Sequence, residues 1–78
     1  MDMTFRRATD ILGIPAADLA AALGVQTQTV RQMRLAPSAA NHRSPPKGWE
    51  QTLSRLAQQR GKELAALAEH LKSQMQRR

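Results

Sequence analysis

An all-α fold follows from three features of the sequence. Ala, Leu, Gln and Arg dominate it, and all are good helix formers. Phe5 and Trp49 are its only Phe, Tyr or Trp residues, and β-branched residues are thin. No stretch alternates apolar and polar residues with the period of two that a half-buried strand needs. At 78 residues the chain has room for one domain, expected to be a compact bundle of four to five helices containing a helix-turn-helix. So small a domain buries a modest share of its surface and gains from dimerisation.

The first helix is expected from Thr4 to Leu12. Thr4 suits the N-cap, and Phe5, Ala8, Ile11 and Leu12 share one face. Gly13 can take the left-handed conformation that ends a helix, with Ile14 folding back on it. A second helix follows at once. Pro15 suits the first helical position, Asp18 favours the positive end of the helix dipole, and Leu19, Ala20 and Leu23 form its apolar face up to Gly24. The third helix is expected from Gln26 or Thr27 to Leu35, with Val30, Met33 and Leu35 inward. Thr27, Gln28, Arg31, Gln32 and Arg34 remain outside.

Pro37, Pro45 and Pro46 deny regular structure to residues 36–46. Together, residues 1–46 read as the helix-turn-helix region with its following loop. Residues 47–78 read as C-terminal helices for packing and dimerisation. There, Trp49, Leu53, Leu56, Ala57, Leu64, Leu67, Ala68, Leu71 and Met75 recur at spacings of three and four. Gly61 interrupts them. It is expected to separate two helices, the alternative being one long helix that tolerates it at about 1 kcal/mol relative to Ala. Residues 75–78 are expected to fray. Trp49 reads as a core anchor that packs the C-terminal half onto the first helix.

Charge narrows the function. Twelve Lys+Arg against six Asp+Glu give a net charge of +6 and a pI near 11.5, which suits a polyanionic partner. The excess is clustered. No acid occurs between Asp18 and Glu50, a stretch that holds Arg31, Arg34, His42, Arg43 and Lys47. The absence of cysteine removes disulfides, Cys-ligated zinc and thiol nucleophiles from consideration. His42 and His70 have no carboxylate at ligand spacing, so no metal site is expected. No Gly-rich phosphate loop or nucleophile elbow occurs, so neither a cofactor nor an enzymatic activity is expected. No apolar run follows the charges of residues 1–7, and none reaches membrane-span length. The expected location is cytoplasmic, associated with the nucleoid, with no membrane partner.

The stretch from Ala16 to Leu35 carries the motif. Two short helices crossing steeply on a tight turn need a small residue at their close approach, supplied by Ala20. The turn needs a residue that tolerates positive φ, supplied by Gly24. The buried positions Leu19, Leu23, Val25, Val30 and Met33 are all apolar. This segment, Leu19-Ala20-x-x-Leu23-Gly24-Val25 followed by Thr29-Val30, resembles the helix-turn-helix of the Cro/CI/XRE family of phage and bacterial regulators. It departs from that pattern at Gln26, where many members carry a capping Ser or Thr, and capping is then expected to fall to Thr27.

The resemblance implies that the N-terminal part of the third helix enters the DNA major groove. Thr27, Gln28, Arg31 and Gln32 are then the base-edge candidates, with Gln28 suited to adenine and Arg31 to guanine. Gln26, Thr29, Arg34, Asn41, Arg43, Ser44 and Lys47 are backbone-contact candidates, and His42 lies among them. Arg6 and Arg7 read as plain surface, with phosphate contact as the alternative. The resemblance implies a sequence-specific regulator, a small autorepressor or activator of a phage-like or mobile-element operon, bound to palindromic double-stranded DNA. RNA polymerase or another protein is a candidate further partner.

Leu64, Leu67, Leu71 and Met75 form a stripe expected to pair two chains as a homodimer, the alternative being that it folds back on the first helix. A different reading makes the protein an antitoxin-type module that binds a partner protein through its C-terminal helix. A basic amphipathic membrane-surface protein fits less well, because no wide apolar face rich in Trp and Phe opposes the charges.

Overall fold

A computed structural model describes residues 3–77. Among them four helices and no strand form: α1 (Phe5–Leu12), α2 (Ala16–Leu23), α3 (Thr27–Met33) and α4 (Trp49–Gln76). The boundaries follow from local chemistry. Thr4 caps α1, its Oγ1 accepting the Arg7 N–H at 3.1 Å. Gly13, at φ 66°, closes α1 by donating its N–H to the Thr9 carbonyl. Pro15 is the N-cap of α2 and not its first helical residue. Its carbonyl accepts the N–H groups of Asp18 and Leu19 at 3.0 and 3.1 Å, the first of these a donor that every helix start leaves free.

The core is one cluster of Phe5, Leu19, Ala20, Val30, Met33 and Leu53, so all four helices contribute. Trp49 sits at its edge, half-buried, its ring meeting Phe5 edge-on at 5.4 Å between centroids. That contact anchors α4 on α1 and has the geometry aromatic pairs prefer. Thr9 is buried among these apolar groups. Its hydroxyl donates to the Arg6 carbonyl at 2.9 Å, which satisfies the polar atom and leaves the methyl group to pack.

Three expectations are corrected here. Ile11 is not a core residue: it is 67% exposed. At about 100° per residue it is turned well away from the line through Phe5, Thr9 and Leu12. Leu35 is exposed because α3 ends at Met33 and the chain has already left the helix. Gly61 divides nothing, and α4 runs unbroken for 28 residues. Good helix formers on both sides of Gly61, Gln58-Gln59-Arg60 and Lys62-Glu63-Leu64, outweigh the cost of one glycine. Arg78, in the tail expected to fray, lies outside the described residues, and the helix persists to Gln76.

Glycines 24 and 61 therefore predict opposite results. Gly24 holds φ at 71° in the turn between α2 and α3, while Gly61 is ordinary helix, and a Cβ would meet nothing within 4 Å at either. Gly61→Ala should raise stability by about 0.5–1 kcal/mol. Gly24→Ala should lower it by about 1–2 kcal/mol, with Gly24→Asn recovering part of the loss. Urea unfolding midpoints of the three variants test both signs.

Only the first part of α4 is covered. Every residue from Ala57 to Arg77 is exposed. The helix projects from the bundle, giving a molecule of 55 × 28 × 19 Å.

Candidate nucleic-acid interface

The three-residue turn Gly24-Val25-Gln26 joins α2 to α3. Gly24 caps α2 through its N–H to the Ala20 carbonyl, and Val25 also bonds to that carbonyl at 3.0 Å. With Leu19 and Ala20 below and Val30 and Met33 above, α3 is fixed by its apolar side. Its other side is thereby determined. Gln28 and Arg31 are exposed, and Thr27, Thr29 and Gln32 are half-buried. At about 100° per residue, Gln28 and Gln32 point most directly away from Val30, and Arg31 stands on their flank.

Gln26, not Thr27, is the N-cap of α3. Its side chain makes no capping bond and is exposed, so its amide remains available to an outside acceptor. Thr27 becomes the first helical residue.

The loop after α3 turns back toward it. The Arg43 N–H donates to the Gln32 carbonyl at 3.2 Å, and the Leu35 N–H donates to the same oxygen at 3.3 Å. This places Arg43 beside the C-terminal end of α3. Asn41, Arg43, Ser44 and Lys47 are exposed, whereas His42 is half-buried and lines an apolar groove with Phe5, Met33, Pro45 and Trp49. His42 thus helps seat the loop and is not offered outward with its neighbours. Arg6 lines the same groove, so the start of α1 brings a further cation to the loop side. Nothing in the local sequence around Arg6 signals that proximity.

Arg34 has a different environment from the one expected of a free phosphate ligand. Its guanidinium pairs with the Asp10 carboxylate of α1, and its Nε is buried without a partner among the described residues. This pair spans 24 positions in sequence, too far for helical spacing to reveal it. The other ion pair among the described residues is Arg60–Glu63 on α4. Among the described residues Arg31, Arg43 and Lys47 therefore have no carboxylate within ion-pair distance. Because both partners of the Arg34–Asp10 pair are partly exposed, it contributes under about 1 kcal/mol to stability. Asp10→Asn should leave the unfolding midpoint nearly unchanged while strengthening binding to duplex DNA at low salt, since it frees a cation beside α3. Anisotropy titrations at two salt concentrations read this directly.

No helix of the described residues is long and apolar enough to cross a membrane. No family model matches the chain, and no curated protein or solved structure matches it.

Proposed function

We propose that this protein is a sequence-specific, double-stranded-DNA-binding transcriptional regulator of the Cro/CI/XRE kind, acting in the cytoplasm at the nucleoid. The observation that carries the reading is the outer side of α3. Gln28, Arg31 and Gln32 form an acid-free surface of hydrogen-bonding side chains, and a backbone bond ties Arg43 next to it. Amide and guanidinium groups are the side chains that pair bidentately with adenine and guanine, and the flanking cations suit phosphate. Repression of a phage-like or mobile-element operon is the default, and activation through RNA polymerase uses the same DNA surface.

One observation favours a second reading. The apolar stripe on the distal half of α4 is exposed, as a module that docks onto another protein, antitoxin fashion, would require.

Selection from a randomised duplex pool tests the first reading without assuming an operator. Enrichment of one motif, bound far more tightly than its scrambled version, is the expected result. Equal, steeply salt-dependent binding to every duplex would reduce the activity to phosphate contact and overturn sequence-specific regulation. Absence of binding at low salt would overturn the DNA reading altogether.

A further inference from the structure

The distal half of α4 carries an uncovered apolar stripe whose geometry restricts how two copies can meet. Leu64, Leu67, Leu71 and Met75 are 47–72% exposed. At about 100° per residue they lie within roughly 60° of Leu53, as do Trp49 and Leu56. The exposed stripe is therefore the direct continuation of the face that packs into the core. One side of one helix is buried by α1 and α2 over its first two turns and is uncovered beyond.

That continuity decides the orientation. In a parallel pair the two α4 helices run side by side about 8–10 Å apart. The partner's first turns would then occupy the space that α1 and α2 already fill. In an antiparallel pair the partner's helix lies only along the uncovered half, and its own head sits at the far end. We infer that the protein forms a homodimer through an antiparallel pairing of residues 61–77 of α4.

The seam fixes a register. Arg60, Leu64, Leu67, Leu71 and Gln74 alternate spacings of four and three, the pattern of paired helices. Setting Leu67 against the partner's Leu71 puts the two-fold axis at the level of residue 69, with the small Ala68 beside it on the apolar side, permitting close approach. It also sets Leu64 near the partner's Gln74. The same register brings Arg77 of each chain to Glu63 of the other.

That end of the seam is built to receive it. Where the head stops, the turn between α1 and α2 and the side of α4 enclose a notch of about 240 Å³, lined by Pro15, Asp18, Gln59, Arg60 and Glu63 among others. Asp18 has no ion-pair partner among the described residues, and Glu63 has a loose 3.8 Å contact with Arg60 and accepts a long hydrogen bond from Gln59 Nε2 at 3.4 Å. The partner's Arg77 thus meets Asp18 and Glu63 at each end of the dimer, in a notch whose one cation, Arg60, is already loosely paired with Glu63. The inference uses no property of α3, so it stands or falls separately from DNA binding.

The test uses the absence of native cysteine. Single spin labels are placed on the outward side of α4 through Glu69→Cys and, separately, Arg55→Cys, both exposed positions. In the antiparallel dimer the two copies of position 69 lie at the same level along the seam, on helices about 8–10 Å apart, so their labels are close. Two copies of position 55 are displaced along the helix by about 42 Å, at 1.5 Å per residue. Dipolar distances that are short at 69 and long at 55 are expected. Short distances at both positions would overturn the antiparallel arrangement. Sedimentation as a monomer at micromolar concentration would overturn self-association, leaving the stripe to a different protein. Leu67→Lys should convert dimer to monomer while the helical circular dichroism of the head persists. A variant that stays dimeric would overturn the assignment of this seam.

Discussion

Leu19→Ala should unfold a large part of the protein at physiological temperature. Leu19 is 1% exposed and lies in the one cluster that all four helices share. Truncating such a leucine costs about 2–5 kcal/mol, the lost transfer term plus the cavity left behind. A chain of this length has about 4–12 kcal/mol in total, and a small domain falls toward the low end. One substitution therefore removes from a sixth to all of the stability. Urea unfolding should show a midpoint reduced by several tenths of its value or no cooperative transition at all, with the slope unchanged where a transition persists. Ile11→Ala is the matched control. Both residues are large aliphatics in periodic apolar patterns, but Ile11 is 67% exposed, so its truncation should stay within about 0.5 kcal/mol. Equal losses at the two sites would place the core elsewhere. Because α3 is held chiefly through its apolar side, Leu19→Ala should also weaken DNA binding without touching a DNA-facing residue.

The same comparison shows what the sequence could and could not disclose. Leu19 and Ala20, between Pro15 and Gly24, and Val30 and Met33, between Gly24 and Pro37, are legible because strong punctuation bounds them and the helices are short enough for one face to be unambiguous. Ile11 looks like core in the sequence because four apolar residues in an eight-residue helix span more arc than one neighbour can cover. Only the actual position of α4 decides which edge is buried. Thr9 was missed for the converse reason: its polarity hides the back-bonding to Arg6 that makes burial cheap. Gly61 looks like a break in the sequence, but a single glycine costs only about 1 kcal/mol against the propensity of a whole helix. In the candidate interface the residues of α3 followed directly from its core face. The Arg34–Asp10 pair and the fold-back of Arg43 onto Gln32 are tertiary, and no local periodicity encodes either.

Arg31→Ala should weaken binding to the selected operator by roughly 5- to 150-fold, and Gln28→Ala by a similar factor. These ranges correspond to about 1–3 kcal/mol for each bidentate base contact. The two residues are exposed, on the acid-free side of α3, and neither takes part in the core, so folding stability should hardly change. The loss should be largest on the operator and small on scrambled DNA, and specificity at one base position should relax for each variant. Arg43→Ala and Lys47→Ala should behave differently. A residue that meets only phosphate weakens binding to every sequence alike and lowers the slope of log K against log salt by about one. Anisotropy titrations over a range of salt, on operator and scrambled duplex, separate the two patterns. If Arg31→Ala lowered the salt slope and left base preference intact, Arg31 would be a phosphate ligand, and readout would pass to Gln28 and Gln32. If neither Gln28→Ala nor Arg31→Ala changed operator binding, α3 would not be the reading helix. The acid-free cluster would then have to act through the loop of Asn41, Arg43, Ser44 and Lys47, which α3 would merely support.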